Sequence, residues 1–273
     1  MALQLSAYFG SIANTAADQQ IPAIADGLIY TRDNAIVVPP DMNQVLAAFF
    51  FGTNLTTAKF KPASYRRFGD YWVLPYSQAI AGAGGQQPYL DLSGHDESGM
   101  PLVLSPQEEL PAYAQQSSAG AQNAYAFVLF GNAPVTKRRG KFFTVRATGT
   151  TTLVANAWTA VAITLDTGLP TGRYSLVGAR CKSAGCLAFR FIIIQQHNRP
   201  GGFGFQGDQV FESLGQRNGG WGEWGQFDHL TIPTVEFWST SADTSETIWM
   251  DVELISEVPL HPVTAPVGVP LGR

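Results

Sequence analysis

The residues in this chain that could do chemistry fall into a few short groups. Ser93-Gly94-His95-Asp96-Glu97-Ser98-Gly99 holds a nucleophile, a base and orienting acids. Catalytic triads are assembled from separate elements, because adjacent residues cannot converge on one reacting atom; the stretch therefore reads as a polar turn. The four histidines, His95, His197, His229 and His261, show no HxH or HExxH spacing. Structural zinc needs four Cys/His ligands in paired clusters, so no metal or other cofactor is expected. Cys181 and Cys186 flank Lys182-Ser183-Ala184-Gly185. That composition suits a hairpin turn, leaving the pair as buried thiols or, under oxidation, as a cross-hairpin disulfide. Gly201-Gly202-Phe203-Gly204-Phe205 lacks the Gly-Lys-Ser/Thr ending of a phosphate loop. Glu212, Glu223 and Asp228 are carboxylates of the kind a glycosidase pairs roughly 5–10 Å apart, but nothing in their spacing pairs them. The chain is not expected to be an enzyme.

Two further groups suggest contacts rather than catalysis. Trp221, Trp224 and Phe227 lie in the glycine-rich segment 219–227, and Phe203 and Phe205 lie in the segment 199–205. Such rings could stack on sugars or bases. Segments so rich in glycine look unable to bury them in a strand-based core, and left in water they would form a large apolar patch. A subunit interface is the preferred reading, since Trp and Tyr are enriched there. The second group is the basic run Lys137, Arg138, Arg139 and Lys141, followed by Arg146. Residues 135–147 carry +5 between acidic flanks of −5 (1–134) and −4 (148–273). The footprint is small, and it reads as a solvated linker or as a contact for nucleic acid or a membrane surface. With a net charge of −4 the chain has no global field for nucleic acid, so no sequence-specific nucleic-acid partner is expected.

The elements that must hold these groups are strands. Charged side chains make up 14% of the 273 residues, against about 25% in an ordinary soluble domain. Long exposed helices need the missing Glu, Lys and Arg. Hydrophobic residues reach 45%, enough for a core, and no apolar run approaches the length of a spanning helix. The start does not read as a signal peptide, since the first basic residue is Arg32. Apolar or β-rich runs at 28–30, 35–38, 45–51, 58–61, 71–74, 102–104 and 124–130 are separated by turn residues. A second series follows at 141–147, 150–154, 160–165, 174–180, 187–194, 234–238 and 247–255. In the last of these, Ile248, Met250, Val252 and Leu254 share a face. Seven or eight strands in about 130 residues, twice over, is the spacing of a β-sandwich or jelly roll. Ser105-Pro106-Gln107-Glu108 predicts one or two helical turns.

The expected organisation is a first barrel over 1–134, a basic linker and start of the second barrel over 135–147, the rest of the second barrel over 148–258, and an extended proline-rich tail over 259–273. Both halves insert a long loop, at 76–122 and 197–232. A shift of 130 residues aligns Pro40 with Pro170, Leu46 with Leu176 and Ala58 with Ala188, leaving internal duplication open.

Two tandem halves of about eight strands, sparse charge, long loops, no catalytic set and a proline-rich tail together resemble the double jelly-roll major capsid proteins of icosahedral viruses, including tailless bacteriophages. The likeness is architectural, spans residues 1–258, and carries no residue roles over. It implies two upright β-barrels per subunit, a homotrimer of pseudo-hexagonal outline, neighbouring capsomers and minor capsid or penton proteins as partners, and often an internal viral membrane. It also implies a virion location after assembly in the host cytoplasm. A carbohydrate-binding or adhesin-type sandwich using the 219–227 loop is the rival reading.

Overall fold

The computed structural model describes residues 3–15, 17–65, 71–73, 76–77, 90–91, 102–132, 140–183, 185–206, 218–219 and 222–257. Among them the chain is all-β, with a single 3-10 turn at Ala63–Tyr65. Eight strands of the first unit make its two main sheets: β1 (Leu3–Ile12), β2 (Gln19–Ile21), β3 (Gln44–Gly52), β4 (Leu55–Phe60), β5 (Tyr71–Val73), β6 (Leu102–Val103), β7 (Ala112–Gln116) and β8 (Gln122–Gly131). Beside them lie a small sheet of Thr31–Arg32, Ala35–Val37 and Glu109–Leu110 and short pairings of Tyr76–Ser77 and Leu90–Asp91 with β3. The two main sheets are ordered β1-β8-β3-β6 and β2-β7-β4-β5. The second unit comprises β9 (Lys141–Gly149), β10 (Trp158–Val161), β11 (Arg173–Ser183), β12 (Cys186–Ile192), β13 (Gly201–Phe203), β14 (Gly225–Asp228), β15 (Thr234–Ser239) and β16 (Glu246–Ser256). Its sheets run β9-β16-β11-β14 and β10-β15-β12-β13. Each of these eight strands holds the place of the strand eight earlier in the first unit, while Thr164–Leu165, Phe205–Gln206 and Asn218–Gly219 add short pairings of their own. First strand beside last, with neighbours alternating between two facing sheets, is the jelly roll, here twice.

The repetition extends to defects in the ladders. Leu46 is an extra residue on β3 where it pairs with β8, and Val177 is an extra residue on β11 where it pairs with β16. Thr56 on β4 and Leu187 on β12 are likewise each opposed by no single partner. Both bulge pairs are 131 positions apart, one more than the offset read from apolar matches, so Leu46 corresponds to Val177 and not to Leu176. A bulge bends its strand and increases the local twist, which lets β3–β4 and β11–β12 turn the corner from one sheet into the other.

The core explains the unbroken apolar runs. Along β3 and β8, Ala48, Phe50, Ala126, Val128 and Phe130 enter the interior of the first barrel with Tyr8, Ile21, Ala58 and Phe60. The alternate residues Ala47, Phe49, Phe51, Tyr125, Phe127 and Leu129 join a second cluster continuous with the interior of the other barrel. The sheet containing β1, β8 and β3 is therefore buried on both faces, and no polar face alternates with an apolar one. Below the first barrel's other sheet, Asp18 accepts from Lys59 Nζ (2.7 Å), Lys61 Nζ (2.8 Å) and Gln115 Nε2 (2.9 Å). Burial would raise this carboxyl, but the hydrogen bonds from Lys59, Lys61 and Gln115 outweigh it and hold the pKa at about 2.

Several expectations are corrected. β1 and β2 had no counterpart in the sequence reading. Residues 28–30 and 150–154 are not strands. Ser105–Glu108 forms no helix. The Glu108 amide donates to the Ser105 carbonyl (3.2 Å), with Pro106 leading and Gln107 at φ 63°, which is type II turn geometry. The Glu108 carboxylate is engaged by Ser64, whose hydroxyl donates to it at 2.8 Å, and by the Ser105 amide at 2.7 Å. The two glycine-rich loops contain strands β13 and β14.

Candidate functional site

Where the two barrels meet, aromatic rings from both sides interlock. Phe127 lies 5.9 Å from Trp238 and 6.3 Å from Trp158, while Phe49 lies 5.7 Å from Phe203 (ring centroids). The sheet β10-β15-β12-β13 thus covers the outer face of β1-β8-β3. Backbone joins the same seam: the Leu5 amide donates to the Arg199 carbonyl (3.0 Å), and the Arg199 amide to Gln4 Oε1 (3.0 Å).

At the edge of this seam sits Arg190, in the middle of apolar β12 and only 1% exposed. A buried guanidinium must be paired and hydrogen-bonded. Its Nε donates to Glu236 Oε2 at 2.6 Å, directly across the ladder on β15. One Nη donates to Asp26 and to the Leu5 carbonyl, both in the first barrel. The guanidinium carbon stands 4.1 Å from the centre of the Trp158 ring, a cation–π contact. Arg199 donates to both oxygens of Glu236, at 2.8 and 2.6 Å. Two arginines and two carboxylates neutralise one another around a cleft of about 320 Å³ that Asn156 and Trp238 also line. A larger groove of about 450 Å³ opens between the barrels beside Tyr30, Pro39, Pro40 and His197.

A second buried acid has no such partners. Glu246 begins β16 opposite Gly149 and is 1% exposed, and no other described residue donates a hydrogen bond to either carboxylate oxygen. Burial raises its pKa to about 7; its own backbone amide opposes the rise and the charge of Asp243 adds to it.

The sequence-predicted site residues separate into three groups. Phe203, Trp224 and Phe227 are buried in the second barrel's own core, which corrects their assignment to a subunit interface. Phe203 pairs with Ala188 through its strand and meets Phe49, Trp224 packs on Phe189 and Phe191, and Phe227 stacks on Tyr174 at 5.9 Å. The physical reason is the glycine content itself. A Cβ on Gly201 would stand 2.2 Å from the Phe189 carbonyl oxygen, so glycine is what lets β13 lie close on β12 and turn its ring inward. Phe205 belongs to a two-residue pairing with β11, and Trp221 lies outside the described residues. Of the basic run, Lys141 opens β9 and is exposed; Lys137, Arg138 and Arg139 lie outside the described residues, as do residues 93–99 and the tail. Among the carboxylates, Glu223 accepts from Ser175 Oγ at 2.9 Å and from Gln226 at 3.1 and 3.2 Å, Asp228 is buried, and Glu212 is outside the described residues. No group of three or more His, Cys, Asp or Glu side chains among the described residues could hold a metal ion. The Arg190 network escaped the sequence reading, although a lone arginine within the apolar run 187–194 was a visible signal.

Strand order defines this molecule as a tandem double jelly roll with a buried seam. No family model matches the chain, and no curated protein matches it. Among solved structures it is similar to the major capsid protein P2 from bacteriophage PM2, with 14% identity, covering 92% of this chain and 98% of that one at a TM-score of 0.23. A likeness that loose adds nothing to the fold assignment, which stands on strand order.

Proposed function

We propose that this chain is a structural subunit, a major capsid protein that assembles as homotrimers into an icosahedral shell. One observation carries this reading: the same eight-strand barrel occurs twice in one chain, and the two copies share a buried seam. Three such subunits around a threefold axis present six barrels in a nearly sixfold ring, and a hexagonal tile covers a shell facet without gaps. Jelly rolls suit this use because their edges are folded away between two sheets. In this reading the tail, residues 259–273, is an arm that ties subunits together. Neighbouring capsomers and minor capsid or penton proteins are the partners, the finished location is the virion, and the role is structural and not catalytic. An internal membrane is compatible with the proposal and not required by it.

The rival sugar-binding reading loses two of its three rings, because Trp224 and Phe227 are buried and cannot stack on a sugar. Light scattering and electron microscopy of the purified, concentrated protein test the proposal. A trimer that forms hexagonal sheets or closed shells is expected. A monomer at every concentration, with tryptophan fluorescence quenched by added sugar, overturns it in favour of the carbohydrate-binding module.

A further inference from the structure

Cys181 lies two residues before the end of β11, and Cys186 opens β12 in the opposite sheet of the second barrel. Both side chains are buried, and their sulfurs stand 3.2 Å apart. The space they fill exists because residue 204 is glycine: a Cβ there would lie 2.4 Å from the Cys186 sulfur and 3.0 Å from the Cys181 sulfur. Position 204 is held in place by its amide, which donates to the Leu187 carbonyl at 2.9 Å. A sulfur–sulfur bond is about 2.05 Å long, so closing this pair needs a shift of roughly one ångström into a site that already accommodates both atoms.

We propose that Cys181 and Cys186 are an oxidative modification site, converted from dithiol to a sheet-to-sheet disulfide when the protein meets a small-molecule disulfide such as oxidised glutathione. One cysteine thiolate attacks a glutathione sulfur, forming a mixed disulfide and releasing one glutathione thiol. The other cysteine then displaces the second glutathione as its sulfur bonds to the first. Two cysteine thiols lose two hydrogens in all, the glutathione disulfide is reduced to two thiols, and the electrons balance. The ring closed is short, so little chain entropy is removed from the unfolded state. The effect is local: the corner between the two sheets is pinned, together with the strand that carries Gly204. The thiolate is what reacts, and burial above all, then the neighbouring Cys181 and Glu246, pushes the Cys186 thiol well above its ordinary range. Exchange in the folded protein is therefore slow and speeds up with pH. The pair stays reduced in a reducing cytosol and closes in an oxidising medium.

The test uses the full chain, equilibrated in glutathione buffers from fully reducing to fully oxidising. One arm starts from native protein and one from protein refolded in the same buffer. Acid quenching, unfolding, alkylation with maleimide and intact mass spectrometry give the readout. The expected result is one transition from doubly alkylated protein to unalkylated protein lighter by two hydrogens, with the link mapped to 181–186. Amide hydrogen exchange should slow at 185–187 and 204 in the oxidised form. In the Cys181→Ala variant the two-hydrogen loss should vanish. Two alkylatable thiols in both arms at the most oxidising ratio, or a stable glutathione adduct as the end product, overturns the proposal.

Discussion

Phe49 of the first barrel and Phe203 of the second lie 5.7 Å apart across the seam, so the two interiors share a wall. Both rings are buried, and a Phe→Ala change in such a site costs about 3–5 kcal/mol. Phe49→Ala should lower stability by that amount while leaving the all-β circular dichroism intact. Because the seam is continuous with the second core, calorimetry should show a single unfolding transition that moves as a whole. Two resolved transitions in the unmutated protein, with only the first moved by the substitution, would show that the barrels fold independently.

Arg190 supplies the ionic half of the same seam. Removing it leaves the Asp26 carboxylate without its guanidinium and Glu236 with Arg199 alone. Breaking a buried pair by deleting one partner typically costs about 3–5 kcal/mol, and Arg190→Ala should fall in this range in urea unfolding. Arg190→Lys should recover only part of the loss, because an ammonium cannot reproduce the fork that serves Glu236 and Asp26 together. Full recovery by lysine would mean that charge alone matters at this position.

How much of this could be read in the sequence depends on what each strand faces. β16 was legible because its residue types alternate: Ile248, Met250 and Val252 are buried in register on one face, while Asp251 and Glu253, also buried, take the other. The runs 45–51 and 124–130 were legible as strands, yet their lack of alternation carried a second message, that both faces are buried, which a single barrel does not require. β1 was missed because Gln4 and Ser6 dilute its pattern. Both are buried, and Gln4 is spent on the Arg199 amide, a partner 195 residues away that no local rule supplies. Phe203, Trp224 and Phe227 were misread because glycine was taken to mean an open loop, when at Gly201 it means close strand approach. Arg190 was conspicuous, but its partners lie 46 and 164 positions away, beyond the reach of one sequence.

Two carboxyl groups give the stability a pH dependence of opposite sign. Glu246 holds its proton more tightly folded than unfolded, its pKa rising from 4.5 to about 7. The folded state therefore binds more protons between these values, and stability falls as pH rises through that window. Glu246→Gln should abolish this fall, melting above the parent at pH 8 and close to it near pH 4. Asp18 works the other way, lowered from 3.8 to about 2. Its contribution is present above the upper value and lost as pH drops through the lower. Asp18→Asn should destabilise the protein at neutral pH and flatten the acid limb of a melting-temperature profile. An unchanged profile in either variant would remove that group from the account.

The tail is the test of the assembly reading that leaves both barrels untouched. β16 ends at Ser256, and residues 259–273 follow with four prolines, Leu260, Val263, Val267, Val269 and Leu271, and a single charged side chain, Arg273. Each large apolar side chain gains roughly 1.5–3 kcal/mol on full burial, whereas fixing the backbone costs roughly 1–2 kcal/mol per residue, less at proline. A segment this short and proline-rich cannot bury those groups against itself. The balance turns favourable only in a groove that already exists, and in the shell reading that groove belongs to a neighbouring subunit. Deleting residues 259–273 should then leave the monomer's circular dichroism and core stability unchanged while lowering trimer and shell yield in light scattering. Assembly of the truncated chain with the same yield and melting temperature as the full chain would reduce the arm to a functionless end.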